Sequence, residues 1–422
     1  MKKLSLPIKI LIGLILGALA GFIFKDKVTI IAPIGTVFIR LLKMTIVPLV
    51  FFSIAAGISG IADLQRLKKV GLTFIGYWAV ASALAASMGI LWGSIIQPGV
   101  GITLPALEKP EVNVDLLNSF INWIPDNPVS AFATGNFLQI IVFALFTGIT
   151  IALLSENKAG KIMGDLVQSG ADLMGRMVGI VLKTAPYGVF ALMANVTGTL
   201  GTIVLIGIGK MLVTQYIAYA TIIIVIYPLI LKYVAKVNPL QHFRNIFPAM
   251  ALAFSTQSSA ATLPLTMDCT KRRAGVPDDM VNLIAPPAAT INMHAVSAEM
   301  PIYAIFAAQI YGIPLSLIDL GTITILGIVM AAGVAGVPGG GIMMSAVLLQ
   351  IMGLPLDIVP WIAGVYILID MPNTMLNVTG DTVGMVYTAS KLGELNRDVF
   401  EAPNDGLDNK MVDTPQGFDI SN

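Results

Sequence analysis

Asp370, Thr374, Asn377 and Asp381 stand at offsets of 0, 4, 7 and 11 within one apolar stretch near the C-terminal end of the chain. At about 100° per residue those offsets fall within a stripe about 60° wide on a helix, with Asn373 at its edge. No Lys or Arg stands beside the two carboxylates to neutralise them. Each would cost about 2.5–3.5 kcal/mol at the centre of a membrane-spanning helix, and such residues face a bundle interior on an ion or solute path. The missing counter-charge must come from something that binds. An ammonium group would satisfy Asp370 and a bare cation Asp381. A hard cation prefers oxygen ligands, which a carboxylate, an unwound backbone and the carboxamides of Asn292 and Asn377 can supply. A polar network that only joins helices is the plainer alternative.

The surroundings have the composition of a membrane protein. The chain has 422 residues, 56% hydrophobic and 12% charged, with a net charge of +1; soluble domains carry about 25% charged residues. The runs Val70–Leu107 and Leu320–Leu356 contain no charge, and both exceed the ~20 residues that cross a bilayer as a helix. A soluble enzyme, a disordered scaffold and a nucleic-acid binder are excluded, the last because no basic patch exists. The apolar runs are continuous, which disfavours a β-barrel, and the single Cys269 permits no disulfide within the chain.

The fold class expected is all-α and polytopic, with about eight transmembrane helices and two re-entrant helical hairpins. Apolar segments run near Ile8–Phe24, Ile30–Ile61, Val70–Ile96, Ala131–Leu154, Leu166–Val196, Gly201–Val234, Asn245–Met267, Met280–Tyr311, Leu320–Gly353 and Ile358–Leu392. The first of these, with Ala18-Leu19-Ala20 resembling a cleavage site, also fits a cleavable leader. The bias of Lys2, Lys3, Lys9, Arg66, Lys68, Lys69 and Lys271–Arg273 places both termini in the cytoplasm, against Lys25 and Lys27. The expected organisation is 1–69 as first scaffold helices, 70–240 as further scaffold and transport helices, and 241–393 as the binding core. The polar stretch 394–422, with seven acidic and two basic residues, reads as a disordered tail.

Two segments are broken by residues that a spanning helix should not contain: Ser255-Thr256-Gln257-Ser258-Ser259, and Gly333 to Gly341 with Pro338. Between them stand Pro286-Pro287 and Thr290-Ile291-Asn292-Met293-His294. Irregular backbone at membrane depth is tolerated only inside protein or around a cavity, and paired broken segments point to a solute site. Hairpin tips with free backbone N–H groups suit a carboxylate.

With these residues in place, the sequence resembles the glutamate transporter family, the dicarboxylate/amino acid:cation symporters. The likeness is carried by Arg40–Met44 with Pro48–Phe51, Ala185–Phe190, the serine-rich hairpin, Ala289–Met293, Ala335–Gly339 and Asn377–Asp381, in that order. It implies a homotrimer of elevator transporters in the plasma (inner) membrane, coupled to sodium. Asp370 would hold an amino group, Asn377 and Ser259 an α-carboxylate, with Thr374 assisting. Ser258, Val296, Val337, Pro338, Gly341 and Asn373 would complete the solute pocket. One sodium site would use Asn292, Asn377, Asp381 and the Ala288 carbonyl, and a second Thr290, Met293, Ala331, Ala332 and Val334. Asn373 and Gln257 stand where members that take acidic solutes carry arginine, which favours a neutral amino acid over glutamate, aspartate or a C4-dicarboxylate. His294, Val296 and Ala81 replace residues of a third sodium site and of the pocket. His294 or Glu299 is then the candidate for a coupling proton.

Other classes fit less well. Ser258 or Ser259, His294 and Asp370 supply the residue types of a serine hydrolase, but no Gly-x-Ser-x-Gly elbow is present and Asp381 would be idle. An enzyme is not expected. A channel has no use for two occluding hairpins, and the absence of an ATP-binding motif leaves an ion gradient as the driving force.

Overall fold

The computed structural model describes residues 6–59, 64–102, 124–334 and 339–402. Every regular element among them is helical: α1 (Leu6–Phe24), α2 (Ala32–Ser59), α3 (Leu64–Ile96), α4 (Pro128–Thr134), α5 (Phe137–Leu153), α6 (Lys158–Leu182), α7 (Ala185–Leu200) and α8 (Thr202–Thr221) in the first half. The second half holds α9 (Pro239–Thr256), α10 (Ser259–Arg272), α11 (Asp278–Ile291), α12 (His294–Ile310), α13 (Leu317–Ala331), α14 (Gly340–Ile351), α15 (Val359–Leu392) and α16 (Arg397–Glu401).

Four described helices are long and apolar enough to cross a bilayer: Ile8–Leu41, Lys69–Ile96, Ile203–Val234 and Val359–Leu392. The remaining apolar segments of the eight spans expected are shorter or broken. Leu166–Val196, read from sequence as one segment, is two helices bent by 56°. Pro186 near the start of α7 explains the break, because it lacks an N–H and restricts the residue before it. Beyond α8 the helix loosens into π turns at Ile222–Ile226 and Ile230–Val234. They flank Pro228, which cannot donate an intrahelical bond.

Burial separates the outer helices from the centre. In the most apolar stretch of Ile8–Leu41, 22% of residues are buried, against 72% in Val359–Leu392. Ile15, Leu19, Phe22 and Ile23 of α1 face outward, which suits a lipid-facing helix. Its other face carries Gly13, Gly17 and Gly21, and a Cβ at any of them would overlap the backbone carbonyl of Pro186, Phe190 or Ala194. This small-residue stripe lets α1 lie directly on α7. α1, α2, α5, α6 and α7 pack on one another, whereas α3 and α8 pack on α12 and α15. The two hairpins, α9–α10 and α13–α14, close around α15 and α12.

The start of the polar tail is docked. Phe400 is fully buried, stacked on the His242 ring, and its carbonyl accepts from Asn245 Nδ2 at 2.9 Å. Arg397 donates to the Lys236 carbonyl at 2.7 Å, and Asn396 N–H to that of Gly275. Residues 394–402 therefore belong to the fold, which corrects the expectation of disorder from 394 onward: one aromatic in a charged stretch anchors it. Residues 403–422 lie outside the described ones.

Replacing Gly17 by leucine is expected to separate α1 from α7. The cost is at least the ~1–3 kcal/mol of overpacking, read as a lowered melting temperature of the detergent-purified protein. The same substitution at Gly76, which has open space around it, should leave melting unchanged.

Candidate functional site

The first hairpin turns at Gln257, which adopts a left-handed conformation (φ 55°), a costly state for a residue with a Cβ. Ser258 then caps α10, its Oγ accepting from Ala261 N–H at 3.2 Å. The Ser259 and Ala260 amides that follow have no intrahelical acceptor by position. The second hairpin restarts at Gly339 (φ 85°) as α14. There two amides are already engaged, Gly339 N–H donating to Asp370 Oδ2 and Gly341 N–H to Tyr366 Oη, each at 3.0 Å, while residues 335–338 lie outside the described ones.

Both hairpins reach one narrow cavity of about 20 Å³. Gln257 and Ser259 come from the first hairpin, Val334, Gly340 and Gly341 from the second, and Met293 and Val296 from the interrupted helix. α15 contributes Tyr366, Asp370, Asn373, Thr374 and Asn377. The chain places no Lys, Arg or His among these lining residues. Asp370 still has lone pairs to offer beside its one amide contact.

A directed chain of hydrogen bonds lies along the wall. Ala295 N–H donates to Asn377 Oδ1 at 2.8 Å, Asn377 Nδ2 to Asn373 Oδ1 at 2.7 Å, and Asn373 Nδ2 to Glu299 Oε2 at 2.8 Å. Tyr219 Oη–H donates to the same oxygen at 3.0 Å. A backbone N–H can only donate, so it fixes both carboxamides and makes Glu299 Oε2 an acceptor. Glu299 is fully buried and its Oε1 has no partner among the described residues.

One turn beyond, Asn292 Nδ2 donates to Asp381 Oδ1 at 2.7 Å, and Asn292 Oδ1 is buried without a partner among the described residues. Asn292 and Met293 form the two-residue break between α11 and α12. The break is stable because Trp78 Nε1 donates to the Ile291 carbonyl at 3.0 Å and Asn292 N–H still reaches Ala288 O at 2.9 Å. The ion pairs Lys271–Asp278 and Arg272–Asp268 lie elsewhere and leave out Asp370, Asp381 and Glu299. An orphaned carboxamide oxygen beside a buried carboxylate is a donor set suited to a hard monovalent cation.

Of the residues expected in the solute pocket, Ser259, Val296, Gly341, Asp370, Asn373, Thr374 and Asn377 line the cavity. Ser258 serves as a helix cap, and Val337 and Pro338 lie outside the described residues. Of the cation-site residues, Asn292 and Asp381 are bonded to each other, and Met293 and Val334 share the cavity wall. Thr290 Oγ donates to the Pro287 carbonyl at 2.8 Å, while Ala331 is buried and Ala332 caps α13. His294 is not at the cavity: its Nδ1 meets Tyr227 Oη at 2.9 Å and its ring packs edge-on against Tyr77. It is a buried partner of two tyrosines. Sequence reading missed Tyr366, Tyr219 and Gly340; the i, i+4 spacing of Tyr366 and Asp370 was the available signal.

The model of the sodium:dicarboxylate symporter family matches residues 6–391. The proton/sodium-glutamate symport protein of Bacillus caldotenax is 31% identical over 415 residues, covering 94% of this chain and 97% of that protein. The proton/glutamate-aspartate symporter of Bacillus subtilis is 30% identical over 398 residues, with 92% and 95% covered. The C4-dicarboxylate transport protein of Rhodospirillum rubrum is 30% identical over 404 residues, with 93% and 90% covered.

Asn373→Asp should break the directed chain, because a carboxylate cannot donate to Glu299. The expected destabilisation is about 1–3 kcal/mol at neutral pH, recovered on acidification as the new carboxyl gains a hydrogen to donate. Melting of the purified variant against pH checks it; a drop that acid does not reverse would contradict the assigned direction.

Proposed function

The chain belongs to the sodium:dicarboxylate symporter family, and from that premise we propose that it carries a small acidic solute, glutamate, aspartate or a C4-dicarboxylate, into the cell together with cations. Its relatives are named for glutamate, aspartate and C4-dicarboxylates. They favour the acidic class, which sequence reading placed second, and give no support to the neutral amino acid placed first. The observation that carries the reading is the cavity walled by two hairpin tips and Asp370, with Asn292 and Asp381 one turn away.

The division of labour follows from charge. Asp370 takes an amino group where the solute has one. The Ser259 hydroxyl and the end of α10, with Asn377, favour a carboxylate. Asn292 and Asp381 hold a sodium ion as cargo, with the Ala288 carbonyl nearby in sequence; Thr290, Met293, Ala331, Ala332 and Val334 are the second candidate set. Glu299 is the better of the two candidates for a coupling proton, since it is bonded to Asn373 of the cavity wall whereas His294 is bonded to Tyr227, away from that wall. Movement of α3, α8, the hairpins, α12 and α15 against α1, α2 and α5–α7 is supported by the two packing groups, and the homotrimer by the family resemblance alone. Both termini in the cytoplasm accord with the Lys/Arg bias.

A neutral amino acid remains a second reading on one observation: Asn373 and Gln257 bring no positive charge to a buried second carboxylate, which is costly to leave unpaired.

Uptake of aspartate, succinate and alanine into proteoliposomes, under an imposed sodium or proton gradient, tests the proposal. Accumulation of an acid that collapses with the gradients is expected, with Asp370→Asn reducing aspartate uptake far more than succinate uptake. Glu299→Gln should flatten the pH dependence of uptake. Equal uptake with and without gradients would contradict symport, and accumulation of alanine alone would select the second reading.

A further inference from the structure

Tyr366 lies one turn before Asp370 on α15, is 4% exposed and lines the same cavity. Its Oη accepts the Gly341 N–H. An amide only donates, so the phenolic oxygen is the acceptor and its own hydrogen must be directed elsewhere. No described residue accepts that hydrogen. One claimant is Glu299 Oε1: a Cβ on Gly341 would overlap both that oxygen and Tyr366 Oη, yet Oε1 makes no hydrogen bond among the described residues. Because Glu299 Oε2 already accepts from Asn373 and Tyr219, any proton that Glu299 carries sits on Oε1, facing this junction.

We propose that the Tyr366 hydroxyl is the hydrogen-bond donor that recognises the distal carboxylate of an acidic solute, in a pocket that supplies no cationic side chain for it. The inference rests on the reading of the cavity as the solute site. Two features suit the phenol to that role. Its oxygen is polarised by an amide in the first turn of α14, where the helix dipole is positive, so its hydrogen is a stronger donor. Glu299 also competes with the solute for the same hydrogen. When Oε1 is charged it attracts the hydrogen, and when Oε1 is protonated the hydroxyl is released toward the cavity. Solute recognition and proton uptake are thereby linked through one hydrogen.

Gln257 is the rival donor, since it lines the cavity and its Nε2 is buried without a partner among the described residues. The groups facing Glu299 are Tyr219 from α8, Tyr303 on its own helix, and Asn373, Tyr366 and Asp370 from α15. Asp370 is the other carboxylate there, so a pH effect assigned to Glu299 must vanish in Glu299→Gln.

The test is binding of aspartate, succinate and alanine to the purified full-length protein in sodium, for wild type, Tyr366→Phe, Gln257→Leu and Glu299→Gln. Tyr366→Phe keeps the ring but leaves the Gly341 N–H without its acceptor, so binding is compared at a temperature where melting shows both proteins folded. The substitution should weaken both acids about ten- to a hundredfold, the worth of one hydrogen bond to a charged group, and leave alanine within about twofold. Wild-type affinity for the acids should rise as the pH is lowered, and that slope should flatten in both Tyr366→Phe and Glu299→Gln. An unchanged ratio of acid to alanine affinity in Tyr366→Phe would overturn the inference, as would a loss confined to Gln257→Leu. Wild-type protein that binds alanine but neither acid overturns it while leaving symport standing. Binding of none of the three removes the solute site itself, and the inference with it.

Discussion

Three carboxylates, Glu299, Asp370 and Asp381, lie at least 95% buried in a helical core, and no ion pair among the described residues reaches any of them. Uncompensated charge in a low-dielectric interior is the most expensive feature of this chain, and the surrounding structure responds to it. α15 is surrounded by protein where α1 faces outward. The helices beside it are interrupted where their free polar groups face the carboxylates: Asn292 at the α11–α12 break meets Asp381, and the Gly339 amide at the second tip meets Asp370. Glu299 receives two donors on one oxygen and none from the described residues on the other. Each partner is neutral, so hydrogen bonds soften the charge without cancelling it. On the proposed reading, a cation, a proton or an ammonium-bearing solute completes the balance, and coupling would rest on that.

The carboxylate stripe is legible in the sequence because it depends on helical period alone: Asp370, Thr374 and Asn377 do share the cavity, and Asp381 follows on the same helix. The broken segments are equally plain, since clusters of Gly, Pro and Ser inside an apolar run interrupt a helix wherever they stand. What periodicity does not supply is which neighbouring element meets which side chain. Tyr366 and Tyr219 look like ordinary interfacial or core aromatics in sequence, and only the approach of Gly341 and Glu299 gives their hydroxyls partners. His294 draws attention as a rare titratable residue in a broken helix; Tyr227, made reachable by π turns around Pro228, accounts for its near nitrogen.

Other misses have similarly local causes. The spacing of Gly13, Gly17 and Gly21 marks a close helix crossing, but small residues in an apolar helix do not name their partner. The break before α7 follows from Pro186 in a segment whose hydropathy is continuous. The docked start of the tail depends on Phe400 finding the His242 ring, a contact invisible to composition. Substrate class is the hardest to read, because it depends on donors rather than charges: the wall offers carboxamides, hydroxyls and helix-end amides, and relatives with acidic solutes make that donor set the question of interest.

If bound cations balance the buried negative charge, the most direct measurement is melting of the purified protein against sodium concentration at constant ionic strength, with choline as the replacement ion. Ligand bound only by the folded state raises stability by mass action. The melting temperature should climb with sodium but not with choline, and the climb should be much reduced in Asp381→Asn. Identical melting in the two salts, with wild-type protein folded in both, would contradict cation balance at this site.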